Sequence, residues 1–232
     1  GNCFDGVMNY RMGWSSLSWV GGKKLKKSYL NPLYPLKEID SDEFIDIQET
    51  TLGWYSEEVN NSQLNLLDSH DVPRALNTLS GDIELLKLSL CLLFLQQGVP
   101  CIYYGTEVGL SGGEEPSCRE CFPWGTCWEL DLRSYIRSLI KMRKDIYHCS
   151  NGVIKWSPIG VDGLKGYIKA TQYSKPEDDS IILIYVNRSE SHPMEIEIVG
   201  NDYLFALGKV SFSEKLLYPK SLVLLKVLSV DL

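Results

Sequence analysis

The chain has no apolar run long enough to cross a bilayer. Its longest, Leu85 to Leu95, is broken by Lys87 and falls short of the roughly 20 residues a spanning helix needs. Basic side chains are also scarce, with 23 Lys and Arg against 30 Asp and Glu for a net charge of −7. That balance argues against nucleic acid as a partner and favours a neutral or cationic ligand. The first residues, GNCFDGVMNY, have neither a basic n-region nor an apolar h-region, so no signal peptide is expected there. They also do not open on Met, and upstream sequence is expected to be missing. Seven cysteines, an odd number scattered from Cys3 to Cys149, do not form the framework of a small secreted scaffold. Reduced thiols and a cytoplasmic location are expected. No internal repeat or low-complexity tract is visible.

What is present is an ordinary globular composition, 44% hydrophobic and 23% charged, which leaves activity to be read from motifs. Cys118, Cys121 and Cys127 give a C-x-x-C with a third thiol, a pattern that begins some zinc sites and redox pairs. No fourth Cys or His stands at finger-like spacing, so a structural or incidental role is the bland alternative. No metal and no cofactor are expected.

Along the chain, Phe4 to Tyr10 reads as a short strand and the Gly-, Ser- and Trp-rich segment 11–22 as a loop or short helix. Asp40 and Glu43 have capping-box spacing ahead of Phe44, Ile47, Leu52, Tyr55 and Val59, which predicts one helix closed by 60–62. Leu64 to Leu67 predicts a buried strand that breaks into polar residues. A helix capped by Asp82 runs from Ile83 to Gln97 and is apolar nearly all round, and Val99 to Tyr104 is a second buried strand. Strand, helix and strand with short connections is the repeat of a parallel α/β sheet. Leu130 to Tyr147 has helical spacing, with Lys141, Arg143 and Lys144 toward the C-terminal end of its dipole. Beyond it the pattern becomes all β, with strands expected at 152–156, 166–171, 181–187, 194–198 and 222–227. The domain boundary is expected near 149–152, giving 1–149 and 150–232.

Ser69, His70 and Asp71 lie just beyond the strand LNLL, at the strand end where parallel α/β sheets bind ligands. A His-Asp pair alone is more often structural. The segment NLLDSHDVPRAL, followed by VPCIYYGTEVGLSGG and then PSCRECFPW, resembles consecutive landmarks of the α-amylase family, glycoside hydrolase family 13. FDGVMNY is similar to its sixth-strand region. The nearest subgroup is that of the cyclomaltodextrinases, neopullulanases and maltogenic amylases. The resemblance implies the C-terminal part of a (β/α)8 TIM barrel, with its sixth to eighth βα units, followed by a small all-β sandwich domain.

By that resemblance Asp71 matches the active-site carboxylate that orients the substrate sugar, and His70 a histidine that hydrogen-bonds sugar hydroxyls. Arg74 belongs to the same motif, in a supporting role or as a solvated ion-pair partner. Glu115 and Arg119 match donor-side sugar contacts, although a surface ion pair explains them equally. Trp124, Tyr103 and Tyr104 are candidates to stack on sugar rings, with a core-strand reading favoured for the two tyrosines. Thr106, Val72 and Gly125 depart from the residues usual in the family, Thr106 standing where Asp is common.

The family's retaining mechanism needs two reacting carboxyl groups about 5 Å apart, which it places after the fourth and fifth strands. Those segments are expected to lie upstream, so the whole protein would cleave α-1,4-glucosidic bonds in an α-glucan oligosaccharide while this chain alone would be inactive. An incomplete barrel exposes sheet edges, so association with another copy or a partner is expected. The competing class is a non-catalytic, amylase-like carbohydrate-binding or interaction protein.

Overall fold

The computed structural model describes residues 3–26, 30–31, 34–125, 128–147, 154–171, 179–198 and 202–228. The chain divides into two compact units, Gly1–Leu139 and Ile140–Leu232. The expected boundary at 149–152 lies outside the described residues.

Strand β1 (Met8–Asn9) is shorter than the expected 4–10, because helix α1 (Tyr10–Gly21) begins where the Asn9 side chain accepts from Met12 N. The segment 11–22 is therefore a full helix. Its serines do not interrupt it, since Ser15 and Ser16 turn their hydroxyls back onto Met12 O, a local bond available to serine inside a helix. Trp19 is fully buried, with its ring 5.2 Å from that of Phe44 and its Nε1 donating to Ser41 Oγ. A two-stranded ribbon, β2 (Leu30–Asn31) with β3 (Tyr34–Pro35), follows.

Helix α2 (Ser41–Gly53) starts as its sequence demands: Asp40 Oδ1 accepts from Glu43 N at 2.8 Å, and Asp42 and Glu43 occupy the positive end of the dipole. It does not continue to Val59. Gly53 closes it, and α3 (Glu57–Ser62) is separate. Asn60 explains the break, since its amide donates to Leu52 O and Tyr55 O, carbonyls that a continuous helix would have used internally.

Strand β4 (Leu64–Leu66) leads to the short α4 (Ala75–Thr78), to α5 (Ile83–Leu95) and to β5 (Val99–Cys101). The three strands form a parallel sheet in the order β1-β4-β5, with Met8, Leu64 and Val99 side by side. Helix α5 is buried on nearly every side from Leu85 to Leu95, where it meets α1, α4 and β5. Asp82 Oδ1 accepts from Glu84 N and Leu85 N, while Lys24 Nζ lies 2.9 Å from Asp82 Oδ2. Asp82→Ala is expected to cost about 1–2 kcal/mol, mainly through the lost cap; an unchanged urea midpoint would show the cap to be idle.

Helix α6 (Leu130–Tyr147) buries Leu132, Ile136, Leu139, Met142 and Ile146 but leaves Ile140 exposed. No helix among the described residues is long and apolar enough to cross a membrane.

The second unit contains β6 (Lys155–Ile159), β7 (Gly163–Thr171), β8 (Asp179–Asn187), β9 (Met194–Glu195), β10 (Asp202–Leu207), β11 (Val210–Ser211), β12 (Leu216–Leu217) and β13 (Ser221–Leu228). A five-stranded antiparallel sheet runs β10-β13-β8-β7-β6, and a smaller sheet runs β11-β12-β9. Alternate residues Leu183, Tyr185, Val223, Leu225 and Val227 share one core with Ile196 and Leu217. The residues between them, Ile182, Ile184, Val186, Leu222 and Leu224, are buried as well, so β8 and β13 are covered on both faces. The short β9 stops before the expected 198, and β10 to β12 were not anticipated.

Candidate active site

All three parallel strands end at one place. Beyond β4, Leu67, Asp68 and Ser69 remain buried, then His70 and Asp71 emerge with side chains 57% and 55% exposed. Ser69 forces this emergence: its hydroxyl accepts from Asp71 N at 3.0 Å, and it forms an isolated bridge with Val72. Tyr10, just past β1, shares a 2.9 Å hydrogen bond between its hydroxyl and Ser69 Oγ and reaches Asp71 Oδ2 at 3.5 Å. Asp71 Oδ1 lies 3.1 Å from His70 Nε2. The carboxylate is thus held at both oxygens while staying open to a ligand.

A 3-10 turn at Ser117–Arg119 completes the wall. Arg119 Nε donates to His70 O at 2.9 Å, Nη1 lies 2.8 Å from Glu115 Oε1, and Nη2 lies 3.8 Å from Asp71 Oδ1. Cys118 Sγ donates to the same His70 carbonyl at 3.4 Å. Glu115 and Arg119 do form an exposed ion pair, which as such contributes under about 1 kcal/mol. The fork of Arg119 nevertheless ties that pair to His70 and Asp71. Trp124, 80% exposed, stands further along the loop with its ring 4.6 Å from that of Phe122.

Of the two readings of Arg74, a supporting role or a solvated charge, its full burial removes the second. Its Nη1 donates to Tyr104 O at 2.6 Å, and its guanidinium lies 4.5 and 4.8 Å from the ring centres of Tyr103 and Tyr104. Those tyrosines follow the end of β5 instead of lying within a core strand. The Arg74 Nε and Nη2 atoms are buried without hydrogen bonds, as is Glu107 Oε2. Burial, followed by the hydrogen bond to Tyr104, pushes the Tyr103 hydroxyl up to about 12, so it stays neutral.

Asp68, which carried no role in the sequence reading, is central to this layer. Its Oδ2 accepts from Ala75 N and from Thr106 Oγ1, both at 2.9 Å. Burial pushes the Asp68 carboxyl up, against the pull of the Ala75 amide, the Thr106 hydroxyl and the Arg74 charge; Glu107 adds to the rise. Thr106 is thereby explained: a carboxylate there would oppose Asp68, whereas the hydroxyl donates to it. The sequence signal for Asp68 was an acid directly after the apolar run LNLL. For Tyr10 it was an aromatic hydroxyl directly after the first strand.

Among the described residues, no group of three or more His, Cys, Asp or Glu is arranged to hold a metal ion. Cys127, the third thiol of the cysteine motif, lies outside them.

The family profile described as alpha amylase, catalytic domain, matches residues 7–155. The chain belongs to the α-amylase family. It is 30% identical over 204 residues to a cyclomaltodextrinase of Geobacillus thermopakistaniensis, covering 86% of this chain and 32% of that enzyme. It is 31% identical over 193 residues to a maltogenic α-amylase of Bacillus acidopullulyticus, covering 82% and 30%. The acarbose-soaked crystal structure of a debranching enzyme from Nostoc punctiforme superimposes with a TM-score of 0.78 at 25% identity, covering 96% of this chain and 46% of that one. The α-amylase match gives the parallel sheet and its helices a TIM-barrel-type α/β fold. The chain spans about a third of the length of these two curated relatives.

Proposed function

We propose that this chain is part of a retaining glycoside hydrolase that cleaves α-1,4-glucosidic bonds in maltodextrins, cyclodextrins or related α-glucans. The observation that carries the proposal is Asp71, exposed at the C-terminal end of a parallel strand and held by Tyr10, His70 and Arg119. In this reading its carboxylate accepts hydrogen bonds from sugar hydroxyls and orients the ring for attack. His70 hydrogen-bonds a neighbouring hydroxyl. Glu115 and Arg119 contact the donor-side sugar, Trp124 offers a stacking face, and buried Arg74 positions Tyr103 and Tyr104 without touching the ligand.

Double displacement needs a nucleophile and an acid/base about 5 Å apart on either side of the scissile bond. Asp71 supplies neither role in this reading. We place those two carboxyl groups in the part of the relatives that lies outside the match, so the chain alone is expected to be inactive. Met8, Leu64 and Val99, neighbours across the sheet, are 44%, 42% and 45% exposed. A parallel sheet normally buries both faces, and the cover proposed here is further strands of the same barrel. The second unit reads as the β-sandwich that follows the barrel, with the domains at 1–149 and 150–232.

The decisive assay measures maltoheptaose and β-cyclodextrin cleavage by the full-length protein with and without Asp71→Asn. Loss of one preorganised electrostatic contact of this kind costs about 10²- to 10³-fold in kcat. Activity that survives the substitution would overturn the assignment. Binding without cleavage by the unsubstituted protein would instead identify a non-catalytic carbohydrate-binding relative.

A further inference from the structure

The C-x-x-C of the loop at 117–124 has no part in the proposed hydrolysis, yet it sits against two residues of the site. Cys118 is fully buried and donates its thiol hydrogen to His70 O, while Cys121 is exposed. Between them, Arg119 ends the 3-10 turn and Glu120 is extended, with φ −55° and ψ 149°. The Glu120 carbonyl accepts from the Tyr104 hydroxyl at 2.7 Å.

We propose that Cys121 and Cys118 form a thiol–disulfide exchange site for small-molecule disulfides, RSSR, whose oxidation state is felt at His70 and Tyr104. The exposed Cys121 thiolate attacks one sulfur of RSSR, forming a mixed disulfide and releasing one RSH with the proton Cys121 gave up. Cys118 then attacks the Cys121 sulfur, and the second RSH leaves with the proton of Cys118. Two cysteine thiols are oxidised by two electrons and RSSR is reduced to two thiols.

Geometry links this chemistry to the site. A disulfide needs Cα atoms about 4.4–6.8 Å apart, which a four-residue segment reaches readily when both inner residues are turned. Arg119 is already turned, and extended Glu120 directs Cys121 outward. Closure therefore rotates Glu120 ψ from 149° toward 0°, by roughly 150°, which swings its carbonyl off the Tyr104 hydroxyl. Oxidation also removes the thiol hydrogen that Cys118 gives to His70 O. Two hydrogen bonds that hold the loop against the segments following β4 and β5 are lost together.

The exchange site stands on the loop geometry alone, whereas its effect on glucan binding rests on the function proposed above. The full-length protein is incubated with oxidised glutathione, alkylated, digested with trypsin and weighed by mass spectrometry. Cleavage after Arg119 should give two peptides joined through Cys118 and Cys121. Cys118→Ser should stop at glutathione attached to Cys121, and Cys121→Ser should take up none in this loop. Unfolding curves for each variant confirm that it is folded. A glutathione adduct on Cys121 that never closes in the unsubstituted protein, or no reaction there at all, would overturn the proposal. Oxidation should weaken maltoheptaose binding about tenfold, as loss of two ordinary hydrogen bonds implies, with recovery in dithiothreitol and no response in Cys121→Ser. Closure that leaves maltoheptaose affinity unchanged would overturn the link to the site. A protein that forms the disulfide but binds no maltoheptaose in either state would refute the glucan reading and leave the exchange site standing.

Discussion

Arg74→Met is expected to lower the unfolding free energy by about 3 kcal/mol at neutral pH, the upper end of the cost of leaving a buried acceptor, here the Tyr104 carbonyl, without its donor. Arg74 is fully buried, its guanidinium is bonded to Tyr104 O, and its charge favours ionised Asp68. Methionine restores most of the volume but none of the charge. The penalty should depend on pH, and its sign follows from Asp68. Burial raises the folded carboxyl above its ordinary value, so the folded state keeps this proton to higher pH than the unfolded chain. The stability Asp68 contributes is therefore full below about pH 4, the unfolded value, and is lost as pH rises through the folded value. Removing Arg74 raises the folded value further and deepens that loss. Urea midpoints should show a larger penalty at pH 7 than at pH 4, and equal penalties would sink the linkage.

Gly13→Ala should be as damaging, at about 3 kcal/mol, the upper end for overpacking a rigid contact. Alanine is ordinarily the better helix residue by about 1 kcal/mol, so propensity predicts the opposite sign. Packing decides the matter, because an added Cβ would overlap the carbonyl oxygen of Leu66. That oxygen belongs to β4, whose end carries Asp68 to Asp71, so neither backbone can yield without moving the site. A thermal melt separates the two expectations, and a variant as stable as the parent would refute the close approach.

Gly13 also shows why part of the fold was hard to read from the sequence. Its helix looks like a loop, with Gly13, Gly21, Gly22 and three serines over 11–22. Gly13 is there for a neighbouring strand, and Ser15 and Ser16 bond back to their own helix. Helices α2 and α5 were legible because Asp40 and Asp82 announce them locally. The break after Gly53 was not, since it depends on the Asn60 side chain reaching back to two carbonyls. Strands β10 to β12 lack a clean alternation; β10 and β12 are organised by β13 and β9, distant in sequence, and β11 only adds to β12 as a short hairpin.

The site divides in the same way. His70 and Asp71 stood out through their place after an apolar strand, and Glu115 and Arg119 through resemblance. Asp68 and Tyr10 did not, because their roles arise from Thr106, Ala75 and Ser69 brought close only by folding. Arg74 was recognised as part of the motif, but its burial depends on Tyr103 and Tyr104, contributed by the next strand's end.

Arg119 and Cys118 grasp residue 70 by its carbonyl oxygen and leave the imidazole out of that grip. Every amino acid has that oxygen. The loop can therefore stay docked whatever side chain occupies position 70, and, in the function proposed above, substitution there would change the contacts offered to a sugar without undocking the loop beside Asp71.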